Sequence, residues 1–574
     1  MGGVLPGFIS TTGVNRPITV TGFVDERSND VGGVTLTSWG VAPLEDPAAT
    51  TILSRVVRNS GGEVPQGEIA DALVADPSAL ARLLPPFAAV GRVDGGVTMV
   101  ADSMGFRPLF HTGAESVGAT VMSTSALLAG WAREAAFDER AVAVQSLLGW
   151  QLGQRTIFTG ICKLAPGAIA RQSENGVSVR LAADPAESPR TIVTAVAQAA
   201  ALLRRSLSAV LDEYPDAVLQ LTGGMDSRIL LSAIAPSRRR GMTVMTLGDS
   251  TSGDVQIAAR IAEQLGLRHE VHGLADVSDL SPATAWEACR TAALQLDGMS
   301  DPVAQASLQM DEQSFAQGVR IAGLGGEVAR GFFYVGKVQA RPVTEREARS
   351  LAAWRMFANE SVEPGLLDED FSKWGRDASE NAVFEALSEH GEEWFDATDT
   401  LYLRHRMQRW AGVTDTAAGN QRLVINPMLD EEFIRIARSL TPHDKGDARF
   451  LASLQSALDP ELSRIPLDGR LAPAAYAHPN AWHGVGKSVL LGRKLARKAM
   501  QRARGANRAP AGGDLLANKV VEHWRSQPSL LALVGKTGFV RTDWLEGVAD
   551  GRIQPRPSSV AFLTNLIVAS SRTP

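Results

Sequence analysis

The chain reads as an α/β protein in two parts, a β-rich N-terminal unit over residues 1–187 and a parallel-sheet unit over 188–574. Three observations predict this. Short segments of strand composition, broken by Gly, Asp, Asn and Pro, fill the first 185 residues. Ser188-Pro189 then opens a long helical pattern that runs to Glu213, with a cap residue followed by proline at the first helical position. Beyond it, strand and helix patterns alternate in the order that builds a parallel sheet with crossover helices.

In the N-terminal unit the expected strands cover residues 17–23, 34–39, 87–93, 97–101, 109–111 and 119–123, and helices cover 126–134 and 139–148. Residues 165–171 and 177–181 form a hairpin across Ser173-Glu174-Asn175-Gly176.

The second unit is organised around Leu221-Thr222-Gly223-Gly224-Met225-Asp226-Ser227-Arg228. Residues 217–221 read as a buried strand, and from Ser227 the apolar spacing is helical. Two glycines between them let the backbone turn tightly and approach a ligand. The first-turn N–H groups of the helix, the positive end of its dipole and the Thr222 and Ser227 hydroxyls then face one place, which suits an anion. Asp226 can add a metal ligand. The spacing is neither the Walker pattern nor Gly-x-Gly-x-x-Gly.

A second buried strand over 242–248 brings Leu247 and Gly248 alongside this turn, because ligands in such sheets sit beyond the carboxyl ends of the strands. A helix over 255–265 follows, with Asp254 read as a helix-start acid, and then a third strand over 267–271. His269 and His272 are read as ordinary strand residues. A further strand ends in Gly323-Leu324-Gly325-Gly326-Glu327, with Arg330-Gly331 behind it. Residues 403–409 are basic, His405 being read as a surface histidine rather than a catalytic base. Val424-Ile425-Asn426-Pro427-Met428-Leu429-Asp430 precedes a helix, and Ile465-Pro466-Leu467-Asp468-Gly469-Arg470 closes the motif-bearing region.

Composition narrows the classes. A net charge of -6, with 44% hydrophobic and 21% charged residues, gives no sign of general nucleic-acid affinity. Cys162 and Cys289 form no metal spacing and suggest a reducing, cytoplasmic setting. No run approaches the roughly 18 apolar residues of a membrane span, and no signal-peptide order is seen. Between Lys487 and Arg508 stand eight basic residues and no acidic one, read as a solvated helix and loop or as a docking surface for an acidic partner.

These motifs together resemble the asparagine synthetase-like family of ATP pyrophosphatases. Thr222-Gly223-Gly224-Met225-Asp226-Ser227 is similar to its Ser-Gly-Gly-x-Asp-Ser pyrophosphate loop, and Gly323 to Glu327 to its second glycine-rich signature. Asp102-Ser103-Met104-Gly105-Phe106-Arg107-Pro108-Leu109-Phe110 is similar to a turn of the family's glutaminase domain. The resemblance implies an Ntn-type αββα sandwich followed by an ATP-pyrophosphatase domain. It implies ATP bound by Leu221, Thr222, Gly223, Gly224, Asp226, Ser227, Leu247, Gly248, Leu324 and Gly325, with Mg²⁺ held by Asp226 and Glu327.

Departures from the family select among its members. Gly2 stands where the glutaminase nucleophile is a cysteine, so no thioester can form. Leu324 stands where β-lactam synthetases place a tyrosine, and Leu467 where the family has a lysine in Arg-Pro-Lys-x-Gly. Arg449 or Arg470 is left to supply positive charge. The chain is then most similar to lasso-peptide macrolactam synthetases. That implies adenylation of an Asp or Glu side chain in a linear core peptide and attack by the peptide's α-amine. A leader peptidase and a leader-recognition protein are the partners such enzymes imply. The alternatives are an asparagine or β-lactam synthetase-like enzyme for small molecules and a non-catalytic peptide-binding scaffold; an unrelated dinucleotide enzyme is disfavoured by the absent ribose fingerprint.

Overall fold

The computed structural model describes residues 5–13, 27–40, 50–54, 56–113, 118–183, 187–273, 276–313, 318–334, 338–358, 360–389, 391–478 and 513–571. The expected strand at 17–23, position 2 and the basic run from Lys487 to Arg508 lie outside the described residues. The chain is mixed α/β, with antiparallel sheets first and one parallel sheet after them. No helix among the described residues is long and apolar enough to cross a membrane.

Two large antiparallel sheets, with a small two-stranded one of Arg58–Asn59 and Gly62–Glu63, form the N-terminal unit. One has six strands in the order Ile161–Lys163, Phe110–Thr112, Thr120–Ser123, Gly7–Thr12, Val34–Trp39 and Arg27–Val31; the other has five, Gly176–Arg180, Ile169–Ser173, Gly96–Ala101, Ala88–Val93 and Thr50–Ile52. They face each other across Phe8, Val34, Leu36, Val90, Met99, Met122 and Ala170, all buried. Alternation along a strand explains the two sides: Phe8 points between the sheets while Ile9 packs outward with the helix Ala126–Ala132. The helix Gln66–Ala75 covers the opposite outer face through Ile69 and Leu73, against Phe87, Ala89 and Val100. The result is helix, sheet, sheet, helix. The strand Gly7–Thr12 was not expected, and the hairpin at Ser173 to Gly176 was.

The tight turn after Ala101 is built on one carboxylate. Asp102 is fully buried and accepts from the backbone N–H groups of Phe87, Met104, Phe106 and Arg107 at 2.9–3.1 Å. Burial drives its pKa up and the four donors oppose this. Asp102→Ala leaves those donors unpaired in the interior and is expected to cost at least about 3 kcal/mol. Calorimetry should show the unfolding temperature falling by several degrees; an unchanged temperature contradicts this account of the turn.

The long helix spans Ile192–Glu213, with Thr191 as its cap through a 3.2 Å bond from the Thr194 N–H. The expected start at Ser188 is therefore corrected: Thr191 reaches the first-turn donor, and Ser188-Pro189 stays outside the helix. Its apolar stripe (Ala195, Ala199, Leu203, Leu207, Val210) lies on the parallel sheet's core. That sheet runs Arg268–His272, Thr243–Leu247, Val218–Gln220, Arg320–Ile321 and Val424–Ile425, every neighbouring pair parallel. The chain thus returns twice from long excursions to strands of only two residues. The C-terminal helices Gly513–Ser526 and Pro557–Ser571 share a core with the N-terminal unit's outer helices, and Trp131 Nε1 donates to the Ala569 carbonyl at 2.9 Å.

Candidate active site

All the glycine-rich turns sit at the carboxyl ends of the central three strands. Leu221 ends the first: its side chain is in the core, its N–H donates to Met245 O and its carbonyl accepts from Thr246 Oγ1. The loop then tightens on itself. The Thr222 N–H donates to Ser227 Oγ at 3.1 Å, and the Gly224 N–H to Thr222 Oγ1 at 3.1 Å. The helix Asp226–Ala233 starts directly behind, with no side-chain cap on its first turn. Its orphan N–H groups and dipole are left for a ligand.

Asp254 does more than start a helix. Ser252 caps the helix Gly253–Leu265, and Asp254 Oδ1 accepts the Gly223 N–H at 2.7 Å. One N–H of the loop is thus already held by a carboxylate oxygen. Leu247 and Gly248 lie at the neighbouring strand end, half-buried, with Gly248 at φ +141°, a conformation that glycine permits.

The second turn packs on the first. A side chain at Gly326 would place its Cβ 2.6 Å from Asp226 Oδ1, and one at Gly323 would crowd the Ser227 N–H at 3.1 Å. Gly325 has φ +103° and a Cβ there would meet the Met428 carbonyl at 2.7 Å. Leu324 is half-buried beside them. These glycines are needed for approach, and they bring Asp226 and Glu327 to one place.

The charges meet around Arg330. Its Nη2 lies 2.7 Å from Glu327 Oε1 and 3.9 Å from Asp226 Oδ2, and the Tyr402 hydroxyl donates to Glu327 Oε2 at 2.7 Å. Asp226 Oδ1 is buried with no hydrogen-bond partner. Burial, with a smaller push from Glu327, raises the Asp226 pKa to about 6 against the pull of Arg330 and Arg470. Asp226, with a spare oxygen, and Glu327, whose two oxygens are held by Arg330 and Tyr402, stand on either side of Arg330, a donor set that fits Mg²⁺, which takes one or two carboxylates and completes its shell with phosphate and water. Among the described residues no larger acidic or histidine cage exists.

Arg470 is exposed and near enough for its charge to reach Asp226. Arg449 opens the helix Arg449–Leu458, which packs on the Gly326–Arg330 turn; its own side chain lies 3.8 Å from Asp444. Leu467 is in the core and offers no charge. The segment around it is fastened by Arg228, fully buried, which donates to the carbonyls of Ile465, Pro466 and Gly223 at 2.7–3.1 Å. Asp468 N–H returns a 3.2 Å bond to Gly223 O. His405 is corrected from surface to interior: it is buried, and Nδ1 accepts the Gly153 N–H at 3.2 Å.

Arg228, Arg330, Tyr402 and Asp254 are the residues that sequence reasoning undervalued. Arg330 stood in a recognised motif, but Tyr402 lies 75 positions from Glu327 and no local pattern links them. In comparison with known proteins, no family model matches the chain and no curated protein matches it. What the site can do rests on its geometry.

Proposed function

We propose that the chain is an AMP-forming amide ligase of the asparagine synthetase-like kind, closing a macrolactam in a ribosomally made peptide. One observation carries the reading. Asp226 presents a buried, unpartnered oxygen beside Glu327, at adjacent strand ends and next to an uncapped helix start. That is a place for a polyphosphate and a dication together.

In this reading Thr222, Gly223, Gly224 and Ser227 hold the β and γ phosphates of ATP, while Leu247, Gly248, Leu324 and Gly325 border the nucleoside. Asp226 and Glu327 would hold Mg²⁺, which neutralises phosphate charge. An Asp or Glu carboxylate oxygen of the linear core peptide attacks the α phosphorus. The α–β P–O bond breaks, and its electron pair leaves with pyrophosphate. The peptide's α-amine then attacks the acyl carbon, the bond to AMP breaks, and the amine gives up its proton. Arg470, with Arg449 behind the second turn, faces the negative charge that builds in both steps. Much of the rate comes from holding amine and acyl group together, a contribution of up to roughly 7–11 kcal/mol.

The layered N-terminal unit is, on the same reading, a glutaminase-like Ntn domain kept for structure, and a leader peptidase and a recognition protein supply the substrate. The test is mass spectrometry of the chain with ATP, Mg²⁺ and the leaderless peptide encoded beside its gene. The expected product is the peptide less one water, with a ring resistant to carboxypeptidase. Amide formation on free amino acids instead points to a small-molecule synthetase, and no product with either points to a scaffold.

A further inference from the structure

Phe332 follows the second glycine-rich turn directly and carries an arginine on each side. The Arg355 guanidinium lies 5.8 Å from its ring centre and is fixed by a 2.9 Å bond from Nη2 to the Phe332 carbonyl. The Arg406 guanidinium lies 5.4 Å from the same ring, 4.6 Å from Trp410 and 5.8 Å from Trp150. Each arginine comes from a π-helical stretch, Ala352–Met356 and Tyr402–Ala411, a rare coil frequently found at functional sites. Tyr402, Arg406 and Trp410, spaced i, i+4, i+8, share one side of the second stretch, so the aromatic–arginine ladder begins at the residue that bonds Glu327.

Neither arginine makes an ion pair among the described residues, and both keep partial exposure. The guanidinium faces are covered by rings, which leaves the N–H edges of Arg406 free for a planar acceptor. Bringing two like charges to one ring with no ion pair to either is unfavourable; burial, and then repulsion from Arg406, lower the Arg355 pKa. Glu360 feels the charge of Arg406 from beyond ion-pair distance, and burial, against that pull, raises its pKa to about 7. The phosphates already have a place at Thr222 to Ser227.

We infer that Arg355 and Arg406, over Phe332 and Trp410, form a subsite that grips a carboxylate of the substrate and leads it to the Asp226–Glu327 centre. This rests on the amide-ligase reading for the fate of the carboxylate, not for its binding. Saturation-transfer NMR with N-acetyl-aspartate methylamide and its asparagine counterpart tests it, since the pair differs only in the charged group. The wild-type chain is expected to bind the aspartate probe at least tenfold more tightly. Arg406→Gln and Arg355→Gln should each erase that preference, and Arg406→Lys should keep part of it. Asp226→Asn should retain it even if ATP turnover stops, which separates failure of the subsite from failure of the ligase reading. Undiminished preference in Arg406→Gln overturns the inference. So does displacement of the probe by inorganic pyrophosphate, which would make this a phosphate site.

Discussion

Asp226→Asn is expected to lose ATP-dependent turnover by about a thousandfold or more while raising the protein's melting temperature. On the proposed function the loss follows from removing an anionic group that would hold Mg²⁺, an interaction of several kcal/mol in the transition state. The gain in stability follows from burial. The Asp226 carboxyl titrates at about 6 in the fold against 3.8 in the open chain. A group raised in this way contributes stability that is fully present below pH 3.8 and is lost as pH rises towards 6. Above that, the folded protein carries a charge it would rather not hold. A neutral isostere removes a cost on the order of 3 kcal/mol at pH 7. The same titration predicts that wild-type activity falls as pH drops below about 6. Thermal melts at pH 4 and pH 7 check the sign: the advantage of Asp226→Asn should be present at pH 7 and nearly gone at pH 4. An equal advantage at both would refute the burial argument.

Gly326→Ala is the second large effect. The added methyl would sit 2.6 Å from Asp226 Oδ1 and 2.9 Å from the Met428 sulfur, so the Asp226 side chain has to move. Displacement of a catalytic group by about 1 Å costs roughly a hundredfold in rate. We expect at least that loss in turnover with little change in circular dichroism, because the strand Arg320–Ile321 and the sheet behind it are untouched. Activity within threefold of wild type would show that the two turns are not in the contact described. Gly67, exposed on a helix with open surroundings and no left-handed φ, supplies the control for a general effect of glycine replacement.

What could be read from the sequence was local. The strands Ala88–Val93, Gly96–Ala101 and Thr120–Ser123 were visible because apolar runs there are cut by turn residues, and the helix Glu139–Leu148 because Asp138 caps a clear pattern. The loop from Thr222 to Ser227 and the turn from Gly323 to Glu327 were visible because their glycines stand together at strand ends, although the contacts that require those glycines, such as Gly326 with Asp226 and Gly325 with Met428, lie about a hundred positions away. The ties between them were not. Arg228 bonds carbonyls 237 and 238 positions on, and Asp254 reaches back 31 positions to Gly223. The basic run before Trp410 gave no hint of its environment: Arg409 is fully buried, donating to Gln151 and to the Arg155 carbonyl, because a π-helical coil sends its residues to unfamiliar sides. Ser188-Pro189 has the composition of a helix start, yet the hydroxyl three positions later has the donor within reach.

Two methylene analogues of ATP decide the central claim most directly, each tested for ring closure of the linear peptide. With the β–γ bridge replaced, the α–β bond remains cleavable and the account predicts cyclised product together with AMP. With the α–β bridge replaced it predicts none. Product from the second analogue, or its absence from the first with the natural nucleotide fully active, would contradict an adenylating centre at Asp226 and Glu327.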